Sequence, residues 1–192
     1  MIAYTLFVLA VGAERLVEMA VSQRNLAWAY ARGGQEHGRG HYPAMVALHV
    51  ALLVGCVVEV WAFDRPFLPV LGWTMVAGVL ATQALRWWCI STLGRRWNTR
   101  IVVIPGLPLV DRGPYRWLRH PNYVAVVVEG IALPMVLTAW ITAVTFTLLN
   151  AVLLRVRIRA EEDALSLASA AIPEPASAAG SPSSSPSPSP RS

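Results

Sequence analysis

The polarity pattern of the chain is a series of long apolar runs joined by short connections that carry arginine. Windows of about 20 apolar residues, the length that crosses a bilayer as a helix, run from Ile2 to about Ala20, from Pro43 to Phe63, from Phe67 to about Ile90, and from about Tyr123 to Leu154. The last is long enough for two crossings, and Pro134, followed by "MVLTAW", offers a break, because proline removes a helix hydrogen bond and crowds the preceding turn. The pattern predicts an all-α membrane bundle of about five transmembrane helices, the fourth ending near Leu137 and the fifth starting at Ala139. Four helices with a re-entrant segment are the alternative. Glu14, Arg15 and Glu18 interrupt the first run, and neither a basic n-region nor a small-residue cleavage site accompanies it. It is read as a retained helix, not a cleaved leader.

Composition agrees with a lipid environment. Of 192 residues, 55% are hydrophobic and 14% charged, too apolar for an ordinary soluble domain. The formal charge of +5 reflects sixteen basic residues, all of them arginine, against eleven acidic ones, and most of the arginines fall between the apolar runs. That is where topology is set, so a nucleic-acid partner is not expected. The connections 21–42 and 94–122 and the segment after the last span hold most of the arginines, whereas Asp64-Arg65-Pro66 and the break near Leu137 are short and nearly uncharged. The positive-inside rule then places the N-terminus outside, the C-terminus in the cytoplasm, and the polar connections on the cytoplasmic face of a multi-pass protein of the cell (inner or plasma) membrane. Cys56 and Cys89 lack ligand or CxxC spacing and are read as packing residues, with no metal site expected. Residues 1–168 form the membrane domain. Residues 169–192, ending "SPSSSPSPSPRS", are too poor in apolar bulk to fold and form a disordered tail.

Two polar clusters stand out against this background. In "RGPYRWLRHPNY", Arg112 to Tyr123, Gly113 and Pro114 mark a turn into a short helical piece. Pro121 suits the first position of the next helix, where its missing N–H costs nothing. His120 then precedes a helix N-terminus whose free amides favour a carboxylate or phosphate, and Tyr123 projects from the first turn. An interfacial belt of Trp, Tyr and Arg is the plainer reading of the same residues. After the last run comes "RVRIRAEEDAL". Here Arg157 and Glu161, and Arg159 and Asp163, are four apart and share helix faces, and the apolar residues that follow Glu161 and Glu162 suggest a segment packed back on the protein.

Charges within the runs are a third feature. Glu14, Arg15, Glu18, His49, Glu59, Gln83, Arg86 and Glu129 are costly in lipid and are expected to face partners or a cavity. There is no HExxH, GxGxxG or phosphate loop.

Together, "RGPYRWLRHPNY", Glu129 and "RIRAEEDAL" one helical hairpin later resemble the signature of the isoprenylcysteine carboxyl methyltransferase family and the related membrane phospholipid methyltransferases, over about Arg86 to Leu167. The N-terminal "SQRNLAWAYARGGQEHGRGHYPAMVALH" is similar to a bacterial branch associated with type III polyketide synthases, whose members methylate alkylpyrone or alkylresorcinol hydroxyls. The resemblance implies a cytoplasm-facing pocket for S-adenosylmethionine. In it Tyr115, Arg119, His120, Pro121 and Tyr123 hold the cofactor, Glu161 and Glu162 close the pocket, and Arg157 or Arg159 orients the acceptor. Physical chemistry agrees: an amino acid group wants a helix N-terminus and His or Tyr for its carboxylate, and a carboxylate for its ammonium. An acceptor carboxylate or acidic enol needs no base, whereas a phenol of pKa near about 10 does; Glu129, Glu18 and His49 are candidates. The implied partners are a lipophilic small molecule entering from membrane lipid and a functional link to a type III polyketide synthase. The alternatives are a prenylcysteine carboxyl or phospholipid methyltransferase, an NADPH-dependent membrane reductase with a similar "RHPNY", and a non-catalytic lipid-binding protein.

Overall fold

The computed structural model describes residues 1–170, and the serine- and proline-rich tail from residue 171 onward lies outside the described residues. Five α-helices dominate: α1 (Ile2–Tyr30), α2 (Tyr42–Ala62), α3 (Pro69–Leu93), α4 (Pro121–Met135) and α5 (Trp140–Ala170). The helix count and the break agree with the sequence pattern. The helix lengths do not all follow the apolar windows. α1 continues ten residues past Ala20, because Leu26 and Ala29 bury against the protein while Ser22 and Asn25 find polar partners. The Asn25 amide donates to the carbonyls of Gly94 and Trp97 at 3.2 and 2.7 Å, and the Thr99 amide donates to the Ser22 hydroxyl at 3.0 Å. Packing and hydrogen bonding thus carry the helix beyond its lipid-length segment.

Two helical stretches, Arg39–Ala62 and Trp140–Leu167, are long and apolar enough to cross a membrane. α1 is long but charged at its middle, α3 is diluted by Trp73, Gln83, Arg86, Trp87 and Trp88, and α4 spans only about 22 Å at 1.5 Å per residue. The surface suits lipid nonetheless. Leu6, Leu9, Val54, Val58, Val70, Trp73, Leu80, Leu148 and Val152 all point outward, an apolar girdle larger than a soluble monomer exposes.

The core between the helices is built from Val8 and Val11 of α1, Leu52, Cys56 and Val60 of α2, Val79 of α3, Leu133 of α4 and Phe146 of α5. Cys56 and Cys89 are free and buried, as the packing reading of them requires. Close approach of α4 and α5 depends on Gly130, where a Cβ would overlap the Phe146 ring. Pro134 lies inside α4, and the chain turns through Thr138 at φ 51° before α5 begins. Glu59 then acts on the new helix from α2. Its buried carboxylate accepts the amides of Ile141 and Thr142 at 3.2 and 2.7 Å and pairs with Arg65 at 2.8 Å. It serves as an N-terminal cap supplied by a neighbouring helix.

One feature was not expected from the apolar pattern. β1 (Gln35–His37) pairs antiparallel with β2 (Ile101–Val103), joining Glu36 to Val102 across the register. This two-stranded ribbon, three residues long, ties the α1–α2 connection to the α3–α4 connection. Glu36 fastens it, accepting Tyr30 Oη at 2.6 Å, Arg100 at 2.9 Å and Arg39 at 3.1 Å. Burial raises the Glu36 carboxyl, but the Tyr30 hydroxyl and the two guanidinium groups outweigh it and hold the group below the usual carboxylate range.

Candidate functional site

The site begins with two prolines. Gly113 takes φ 60°, a left-handed conformation suited to glycine, and Pro114 opens the 3-10 turn Gly113–Arg116. Pro121 then occupies the first turn of α4, with His120 at the cap position. The His120 side chain makes no cap hydrogen bond. It stacks on Tyr123 instead, with ring centroids 5.4 Å apart and planes 25° from parallel.

The opposite wall is α5. Arg157 and Glu161, one turn apart, both face the 112–123 connection. Tyr123 Oη donates to Glu161 Oε2 at 2.6 Å, a charge-assisted bond. His120 Nδ1 lies 3.7 Å from Glu161 Oε2, and Nε2 lies 3.6 Å from Glu162 Oε1, close enough for charge but long for hydrogen bonds. Arg157 is buried, donates to the Thr99 carbonyl at 2.9 Å, and holds its guanidinium 5.9 Å from the Tyr123 ring centre.

A cleft of about 420 Å³ opens between these walls and β2, bordered by Arg96, Val103, Tyr115, Arg119, His120 and Glu162. Its inner recess, about 130 Å³, reaches Asn98, Pro121, Asn122, Tyr123, Arg157 and Glu161. Burial, followed by the neighbouring Cys89 thiol, pushes the Tyr115 hydroxyl upward, so it stays protonated as a donor. Asn98 Oδ1, Asn122 Oδ1 and Arg157 Nε are buried here without a hydrogen-bond partner. Buried polar atoms left unpaired are costly, so the recess is chemically prepared for a polar guest.

A second chamber, about 200 Å³ and mainly apolar, lies deeper among α1, α2, α4 and α5. Tyr123 and Arg157 line both spaces. The far end of the chamber is an ionic floor. Arg86 holds the Glu18 carboxylate with two guanidinium nitrogens, and Arg15 pairs with Glu18 at 2.6 Å, Glu129 at 2.9 Å and Glu14 at 3.0 Å while donating to Gln83 at 2.5 Å. Six charged or amide groups that looked costly along the sequence therefore partner one another, with Glu14 Oε1, Arg15 Nε and Gln83 Nε2 left without a hydrogen bond among the described residues.

The structure brings Tyr115, Arg119, His120, Pro121, Tyr123, Arg157, Glu161 and Glu162 to one cleft. Arg159 is exposed and borders neither space. Glu129 sits at the chamber floor, bound to Arg15, away from the His120–Glu161 wall. Sequence reasoning missed Asn98, Arg100, Asn122 and β2. The signal for Asn98, Arg100 and β2 was the polar run Trp97-Asn98-Thr99-Arg100 after the third apolar stretch, which matches no motif, whereas Asn122 lies within the "RHPNY" segment itself.

The model of the isoprenylcysteine carboxyl methyltransferase family matches residues 73–167, a span that contains both cleft walls. The uncharacterized protein YpbQ of Bacillus subtilis (strain 168) is 38% identical over 146 residues, covering 76% of this chain and 86% of its own length. No solved structure matches the chain. With a continuous match across the cleft and a relative aligned over most of its length, the chain belongs to the isoprenylcysteine carboxyl methyltransferase family, a family of membrane methyltransferases.

Proposed function

We propose that the protein transfers a methyl group from S-adenosylmethionine to an oxygen of a lipophilic small molecule, a phenol or enol hydroxyl or a carboxylate, with alkylpyrones and alkylresorcinols the first acceptors to test. Family membership supports the cofactor, since methyltransferases of this family generally use it. The cleft chemistry fits the group as well. The unpaired oxygens of Asn98 and Asn122 suit ammonium or ribose hydroxyl donors, Arg157 Nε suits a carboxylate, and Glu161 and Glu162 supply negative charge for an ammonium. The cleft volume of about 420 Å³ falls within the range of about 300–1,000 Å³ usual for small-molecule sites.

The observation that carries the reading is the shared wall. Tyr123 and Arg157 border the polar cleft on one side and the apolar chamber on the other, so a cofactor in the first and an acceptor in the second would meet there. When bound, S-adenosylmethionine supplies an electrophilic sulfonium methyl. The chain has only to align an acceptor oxygen in line with it and exclude water, and such alignment can supply about 7–11 kcal/mol of a barrier. Arg157, buried between the spaces, holds an anionic oxygen without itself exchanging a proton. Tyr123 is fixed by Glu161 and fixes the ring of His120, so the cofactor side is set before the acceptor arrives.

The same reading takes all five helices as crossings, with the arginine-rich connections and the cleft facing the cytoplasm, and gives the enzyme a type III polyketide synthase product as substrate. The test is transfer of a labelled methyl group by the purified full chain in lipid nanodiscs. Methylation of an alkylpyrone or alkylresorcinol at oxygen is the expected result. Methylation of a farnesylcysteine carboxylate or of a phospholipid amine in its place would overturn the acceptor assignment.

A further inference from the structure

The chamber wall contains two hydrogen-bonding groups that neither the ionic floor nor the cleft uses. Asn150 of α5 is buried to 4% exposure and lines the chamber, and its side chain has no hydrogen-bond partner among the described residues. A carboxamide offers two donors and an acceptor, and leaving it dry among apolar side chains is costly. His49 of α2 lines the same chamber. Its Nδ1 lies 2.8 Å from the Met45 carbonyl, which can only accept, so Nδ1 carries the hydrogen and donates. In the neutral ring Nε2 is then an acceptor, and no protein donor is bonded to it. The two residues are neighbours through Phe146. The His49 ring packs edge-on against Phe146 with centroids 5.5 Å apart, and Asn150 is one helical turn along α5 from Phe146, on the same face.

An acceptor site for a plain hydrocarbon tail gains nothing from these groups, since a prenyl or acyl chain would leave the Asn150 amide and the His49 nitrogen unpaired. We infer that Asn150 and His49 form a polar subsite that recognises a second oxygen on the acceptor, a hydroxyl able to donate to His49 Nε2 and to accept from the Asn150 amide, set apart from the oxygen presented at Arg157. The inference rests on the methyltransferase reading for the identity of the first oxygen, but the subsite is a property of the chamber itself. The acceptor class is thereby narrowed to lipophilic molecules with two oxygen functions. Specificity of this kind discriminates sharply, because a site built to hydrogen-bond a hydroxyl rejects the analogue that lacks it.

The test compares two ligands of equal tail length, a 5-alkylresorcinol with two hydroxyls and a 3-alkylphenol with one, on the full chain in nanodiscs. Binding is read by quenching of tryptophan fluorescence, to which Trp97 in the chamber wall contributes, and methyl transfer is read separately. The expected result is a preference for the diol of about tenfold or more in Kd that collapses toward unity in Asn150→Leu, and partly in His49→Phe. Monodisperse elution and unchanged helical circular dichroism establish that the variants fold, and Asn150→Ala, which removes the amide without adding apolar bulk, serves as a second variant should Asn150→Leu fail to fold. Equal affinity for the two ligands in the unaltered protein, or an undiminished preference in the folded variants, overturns the subsite. If the preference is present and lost on substitution while no methyl is transferred to either ligand, the subsite stands and the methyltransferase reading falls. If both ligands are methylated and bound alike, the reverse holds.

Discussion

At the scale of single residues, the site turns on which face of α5 an arginine occupies. Arg157 is buried in the wall shared by cleft and chamber, whereas Arg159, two positions on, is exposed. Two residues along a helix is a rotation of about 200°, so the "RIR" motif divides into one inward and one outward charge. The resemblance left both as candidates for orienting the acceptor, and spacing alone could not choose, because each has an acidic partner four residues on. The structure buries Arg157 and exposes Arg159, and the proposed function accordingly gives the role to Arg157. Arg157→Ala is expected to lower kcat/KM for methyl transfer by about tenfold to a hundredfold, the scale of a lost hydrogen bond to an anion, while Arg159→Ala stays within about twofold. Steady-state kinetics on the two variants checks this, and the opposite ranking would reassign the role. A third arginine, Arg15, shows the complementary case. It pairs with Glu14, Glu18 and Glu129, so Glu129 lines the chamber already bound to an arginine.

At the scale of elements, helices approach closely where side chains permit it. Gly130 of α4 sits against Phe146 of α5, the same ring that supports His49. Gly130→Ala is expected to force that ring aside and destabilise the protein by about 1–3 kcal/mol, the usual cost of overpacking, measured as a fall in Tm with detergent and pH held fixed. The β1–β2 ribbon offers a test by pH. Because the Glu36 carboxyl is held below its unfolded value, its stabilising effect is fully present above the unfolded pKa of about 4.3 and is lost as pH falls through the folded value. The Tm difference between the unaltered protein and Glu36→Gln should therefore be constant near neutrality and shrink below about pH 4.3; a difference that grows on acidification contradicts the assignment. Much at this scale was legible beforehand. Pro121 at a helix start and Pro134 at a break follow from what proline does to hydrogen bonds and φ, and the apolar windows located every helix. The ribbon was not legible, because three residues in each strand, "QEH" and "IVV", are too few for an alternating pattern. Nor were the pairings of the ionic floor. Sequence says that Glu18 and Arg86 each need a partner in an apolar setting, but only the fold makes them each other's.

At the scale of the whole molecule, the cleft chemistry gathers at one end of the bundle, apart from the ionic floor within the helices and the Glu59–Arg65 pair at the α2–α3 turn. The cleft, the ribbon and the Tyr123–Glu161 wall lie among the arginine-rich connections, and an outward-facing apolar girdle surrounds the helices. The proposed orientation has a direct consequence for Asp64, in the short turn between α2 and α3, and Asp111, beside the cleft, both of them exposed. In intact cells an impermeant thiol reagent should label Asp64→Cys, and should reach Asp111→Cys only after permeabilisation, with Cys56 and Cys89 silent because they are buried. The inverse pattern would turn the protein over in the membrane. The central claim is narrower than topology: the wall of His120, Tyr123 and Glu161 holds an adenosyl cofactor. Calorimetric titration of S-adenosylhomocysteine into the full chain in detergent, beside His120→Ala and Glu161→Ala, tests it most directly. The account predicts one-to-one binding that weakens by about tenfold or more in each variant, the scale of losing a charge-assisted contact. Binding that survives both substitutions unchanged, or binding of NADPH in place of the adenosyl ligand, would contradict it.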